Sequence, residues 1–138
     1  MKNILTFICL SLLLMSCGDN YYVEEDLTTK RVYDIHVKAT QWIPHTDANG
    51  LNLYYSYQYS IDDAGYDLSR LAAMAYINYG NYQQALPCTT HYENESKYLW
   101  TRTIDFDYSR TDIQIYVTNS DFVADPPGAM DFRVFFIW

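Results

Sequence analysis

Hydrophobic and polar residues alternate with a period of two through most of the chain beyond residue 30, the pattern of strands with one face buried and one wet. In Val32–Ala39, Tyr33, Ile35, Val37 and Ala39 fall on one side, and Asp34, His36 and Lys38 on the other. Gln41-Trp42-Ile43-Pro44 ends this strand, and residues 45–50 (HTDANG) make a turn in which Asn49-Gly50 suits positive φ. Residues 51–60 alternate again, with Leu51, Leu53, Tyr55, Tyr57 and Tyr59 set against Asn52, Tyr54, Ser56, Gln58 and Ser60. A turn or short helix is predicted over 63–70, where Leu68, Leu71, Ala72 and Ala75 begin a helical stripe, followed by a strand over 71–79. Gly80-Asn81 turns the chain into Tyr82–Leu86, which Pro87 stops because it has no N–H for a ladder.

Residues 89–96 are polar and read as a loop. Lys97–Tyr108 follows as a long strand, with Trp100, Ile104, Phe106 and Tyr108 on one face and Thr101, Thr103, Asp105 and Asp107 opposite. Arg102 falls on the apolar side, which predicts a bulge or an edge there. Asp112–Thr118 directs Ile113, Ile115 and Val117 inward, and Asn119–Ala129, with Asp125-Pro126-Pro127-Gly128, is irregular. Phe132–Trp138 is apolar on both faces and reads as a central strand. Seven or eight strands with turns every 8–12 residues predict an all-β domain, a single antiparallel β-sandwich over residues 31–138.

The first thirty residues are of a different kind. Lys2 precedes a continuous apolar run over residues 4–15, of secretory-signal length and short of the ~20 residues that a membrane-spanning helix needs. Leu14-Met15-Ser16-Cys17 follows it and resembles the bacterial lipobox. That resemblance implies cleavage before Cys17, lipid on its thiol and acylation of the new amino group. Residues 1–16 would then be the signal peptide and 17–30 a polar, acidic tether. It also implies a place in a bacterial cell envelope, on the outer membrane, facing the periplasm or the surface. One acyl chain binds a bilayer only marginally, whereas two or three give a durable anchor.

Further along, the strand followed by Trp42, Ala85-Leu86-Pro87, Ile104-x-Phe106-x-Tyr108 running into Ile113-x-Ile115-x-Val117, and the closing Phe132-x-Val134-x-x-Ile137-Trp138 resemble small Bacteroidetes-type β-sandwich lipoproteins of uncharacterised function. That resemblance implies a sandwich and supplies no catalytic residues.

Composition narrows the chemistry. Removing residues 1–16 leaves 122 residues, enough for one domain with a core, and takes away Lys2 but no acid, so the net charge moves from −8 to −9. The remaining basic residues are scattered, which speaks against nucleic acid as a partner. Of three cysteines, Cys9 leaves with the signal and Cys17 carries lipid, so Cys88 has no intramolecular disulfide partner; it reads as a small buried hydrophobe, with His91 its one local candidate base. His36, His45 and His91 lack the spacing of a zinc site, and no calcium loop, G-x-S-x-G, P-loop or Rossmann glycine pattern is present; no cofactor is called for.

Two constellations are left. Fifteen tyrosines, six phenylalanines and three tryptophans make the chain strongly aromatic. Tyr54 and Tyr116 on polar strand faces, with Trp42 beside a loop, are candidate binding residues, since sugar rings stack their C–H faces on such side chains. Equally, tyrosine simply suits half-wet strand faces and cross-strand pairs. The second constellation is Asp105-x-Asp107, whose carboxylates would stand roughly 6.5–7 Å apart on one strand face and could serve a small carbohydrate-active or metal-assisted hydrolase. Alternating Asp is ordinarily just the wet face of a strand. The preferred expectation is a non-catalytic binding or structural accessory on a lipid anchor, with a glycan or an envelope protein as partner. The hydrolase is the alternative.

Overall fold

The computed structural model describes residues 30–61 and 67–137. The signal peptide, Cys17 and most of the tether lie outside the described residues, as do Trp138 and the first part of the turn expected after Ser60. Nine strands follow one another: β1 (Lys30–Val37), β2 (Ile43–Thr46), β3 (Asn52–Ser60), β4 (Ala72–Asn78), β5 (Gln83–Ala85), β6 (Cys88–Glu93), β7 (Leu99–Tyr108), β8 (Asp112–Asn119) and β9 (Met130–Ile137). They form two antiparallel sheets packed as a sandwich, ordered β1-β9-β4-β5 and β2-β3-β8-β7-β6. The only helical pieces among the described residues are two 3-10 turns, Ala39–Gln41 and Leu68–Arg70, the second falling where a short helix was expected.

The expected sandwich stands, with two strands more than the seven segments in which alternation was read. Both additions, β2 and β6, are the edges of the five-stranded sheet. Edge strands pair on one side only and tolerate proline and polar residues. Accordingly β2 contains Pro44, and the six residues of β6 (CTTHYE) bury only Cys88. The first strand also takes in Lys30, which pairs with Ile137.

β9 lies between β1 and β4, as its two-sided apolar character predicts, and buries Phe132, Val134 and Phe136. From the facing sheet, β8 contributes Ile113, Ile115 and Val117, none more than 1% exposed. The layer between the sheets is largely aromatic. Phe136 meets Tyr33 and Tyr108 edge-on at centroid distances of 5.9 and 5.3 Å. Tyr108 Oη also donates to the Leu71 carbonyl at 2.7 Å, giving its polar tip a partner.

Two local departures from simple alternation reshape one end of the sandwich. In β3, His45 pairs with Tyr54 but the next partner of Thr46 is Asn52, which leaves Leu53 as an extra residue. This bulge exchanges faces. Leu51 and Leu53, expected inside, are 49% and 37% exposed, while Asn52, expected outside, is buried. In β7, by contrast, the ladder runs through Arg102 with neither the expected bulge nor an edge, since β7 lies between β6 and β8. Arg102 is tolerated on the inner face because Nε donates to Asn119 Oδ1 at 2.9 Å and Nη2 to Asp125 Oδ2 at 2.6 Å. Its guanidinium also lies 5.5 Å from the Trp100 ring centroid and 6.0 Å from that of Tyr92.

The aromatic layer generates a stability prediction. Phe136→Ala removes a fully buried ring touched from both sheets and is expected to destabilise the domain by about 3–5 kcal/mol, read as a lowered midpoint in urea unfolding. A loss below about 1 kcal/mol would contradict the central place given to this ring.

Candidate functional site

The residues singled out from sequence separate into two environments. Trp42, taken as a candidate platform residue, lies in the core at 6% exposure. Its Nε1–H donates to the Gly128 carbonyl at 3.0 Å, and its ring packs edge-on against Tyr57 and Phe132. It ties the irregular 120–129 segment to the core and presents no face to a ligand.

Tyr54, Tyr116, Asp105 and Asp107, on the other hand, come together on the outer face of the five-stranded sheet. Burial of Ile113, Ile115 and Val117 forces Gln114 and Tyr116 outward, and the ladder then sets Ser56 and Asp105 on either side of Tyr116 and Asp107 beside Gln114. His45 joins from β2 opposite Tyr54. The result is a diagonal of contacts across four strands. His45 stacks on Tyr54 with centroids 4.3 Å apart and planes 20° apart, and Tyr54 meets Tyr116 edge-on at 5.8 Å. Tyr116 Oη donates to Asp107 Oδ2 at 2.9 Å. His45 Nε2 and Ser56 Oγ share a hydrogen bond of 2.8 Å. His45 and Ser56 were not picked out from the sequence. Ser56 could have been, since it shares the parity of Tyr54, but His45 sits in what reads as a turn and acquires its place only through the pairing of β2 with β3.

The carboxylates of this face are treated unequally. Asp112 accepts hydrogen bonds from Gln58, Ser60, Thr111 and Ser109, and these hold its pKa down at about 2. Asp105 has the opposite fate. Burial, aided by the negative charge of Asp107, pushes its carboxyl above the usual range, and its Oδ1 is buried with no hydrogen-bond partner. Tyr116, directly across the ladder, spends its hydroxyl on Asp107 instead. Tyr116 in turn is pushed up to about 12 by burial and by that carboxylate. Unpaired buried polar atoms are uncommon in folded proteins and call for an explanation.

The other reactive side chains are not brought here. Cys88 faces the core, where burial raises its thiol, while His91 projects from the opposite face of β6 and cannot act as its base. His36 lies on the other sheet, 2.6 Å from Asp131. No group of three or more His, Cys, Asp or Glu able to hold a metal ion occurs among the described residues.

Asp105 yields a prediction with a definite sign. A carboxyl whose folded pKa is raised opposes folding once it ionises, so its penalty is absent below the ordinary value of 3.8 and complete above the raised one. Asp105→Asn is therefore expected to raise the urea midpoint at pH 7, with the advantage shrinking as pH falls towards 4. A variant less stable than the parent at pH 7 would show that the charged carboxylate is satisfied after all.

Compared with known proteins, the chain matches no protein-family model, no curated protein and no solved structure.

Proposed function

We propose that this chain is a lipid-anchored protein of the bacterial cell envelope, attached through Cys17 to the outer membrane, whose sandwich binds a glycan without catalysis. The observation that carries the binding reading is the outer face of the five-stranded sheet, where the half-exposed rings of Tyr54 and Tyr116 stand beside the exposed carboxylate of Asp107. A pyranose offers both complements. Its axial C–H groups pack on aromatic rings, and its hydroxyls donate to carboxylates. Support for the anchor comes from the charged start, the apolar run and Leu14-Met15-Ser16-Cys17.

The raised Asp105 also supports a second reading, in which it acts as a protonated general acid with Asp107 as the companion carboxylate of a glycosidase. Asp107 is exposed and already engaged by Tyr116, which favours binding over catalysis.

A glycan-array screen with residues 19–138 tests the binding reading. Binding is expected in the parent, with about a tenfold or greater loss of affinity in Tyr54→Ala and in Tyr116→Ala, as truncation of an aromatic hot spot brings. Absence of binding by the parent would replace the glycan with a protein partner, and turnover of a bound glycan that is abolished in Asp107→Asn would favour the hydrolase. For the anchor, Cys17→Ser should abolish incorporation of labelled fatty acid and leave the signal uncut. Label on the Cys17→Ser chain would exclude the assignment.

A further inference from the structure

The outer face of the four-stranded sheet changes character along its length. Nearest the end where the chain enters, the outward residues are Lys30, Ile137 and Ala72 in one row and Val32, Phe135 and Met74 in the next. Val32 and Met74 are 44% and 47% exposed. The row after these carries the Asp34–Arg133 ion pair at 2.6 Å with Tyr76 beside it, and the last has His36, Asp131 and Asn78. A cavity of about 340 Å³ opens along this face, lined by Met74, Phe135 and Ile137 of the apolar rows together with Lys30, Tyr76 and Gln83. A wet strand face has no use for aligned apolar rows, and contiguous exposed apolar surface marks an interaction site.

We propose that this apolar half rests on the lipid bilayer that holds the anchor, so that the domain is docked on the membrane and not merely leashed to it. The inference rests on the lipid-anchor reading given above. What selects a bilayer over other occupants is where the chain leaves the sheet. Lys30 itself lines the cavity, and Cys17 is thirteen residues before it, a reach of at most about 45 Å. The apolar rows are those nearest this exit, and the charged rows are those farthest from it. Tethering keeps the patch at high effective concentration beside the bilayer, so a modest apolar area suffices. With a net charge of −9 after cleavage, the domain is drawn to the surface by apolar contact rather than by anionic headgroups.

The test uses the full lipidated chain in phosphatidylcholine vesicles, spin-labelled at Met74→Cys or at Tyr98→Cys. Tyr98 is 72% exposed and lies just before β7, at the opposite end of the sandwich. Cys88 is buried with a raised thiol pKa, so the label goes to the introduced residue. The expected result is an oxygen-to-nickel-chelate accessibility ratio several-fold higher at 74 than at 98. Val32→Glu placed in the Met74→Cys chain should bring the ratio back to that at 98. Equal ratios on chains that float with the vesicles would overturn docking while leaving the anchor intact. Chains that do not float would overturn both. Dipolar broadening between labels at 74 would show a second copy on this face and would also overturn the proposal.

Discussion

Edge-to-face and tilted packing of aromatic rings across the interlayer space is the interaction on which the rest of the structure depends. Tyr33 of one sheet reaches Tyr59 of the other at 6.3 Å, Phe136 reaches Tyr108 at 5.3 Å, and Trp42 lies between Phe132 and Tyr57. Each ring supplies a large apolar area and a preferred tilt, so the sheets are held at a defined separation and not simply pressed together. The aliphatic residues of β8 and β9 fill what lies between. Polar tips of the same rings are led to backbone carbonyls at the margins, as Tyr108 to Leu71 and Trp42 to Gly128 show.

With the interior committed in this way, and no α-helix covering either sheet among the described residues, both outer faces are free to be written for other purposes. They are written differently. The five-stranded sheet displays hydroxyls, carboxylates and two linked tyrosines on its outside. The four-stranded sheet grades from apolar side chains at the end where the chain enters to charged and polar ones at the other. Neither arrangement is demanded by the fold, because a sandwich needs only that its outward residues be tolerable in water.

The polar groups left without partners tell where stability has been yielded. Asp105 Oδ1 and both amide atoms of Asn52 are buried and unpaired, whereas Asp112 on the same sheet gathers four donors. An unsatisfied buried group costs roughly 1–3 kcal/mol. At Asn52 the expense follows from the bulge, which turns the residue inward while only its backbone N–H finds a partner, the Phe122 carbonyl. At Asp105 no backbone irregularity is involved. The neighbouring Tyr116 donates to Asp107 instead, and Asp105 Oδ1 stays buried without a donor.

Much of this was legible in the residues themselves. Alternation in β1, β7 and β8 settles which side chains face inward, since a strand has only two faces and water claims one of them. The two-sided apolar character of Phe132–Ile137 settles that β9 is interior to a sheet. The same parity places Tyr54, Tyr116, Asp105 and Asp107 on outward faces. Tertiary pairing decided the remainder. β2 and β6 carry little alternation, β2 because it is four residues long and holds Pro44, β6 because Cys88 is its one buried residue, so only their partners reveal them. A single extra residue in β3 exchanged Asn52 with Leu53, a displacement that no composition announces. Trp42 lies beside a loop in sequence but inside the core in space, because the carbonyl it needs is on Gly128. That the four outward residues share one face of one sheet follows from the order β3-β8-β7, and strand order is a property of long-range contacts, which local periodicity does not encode.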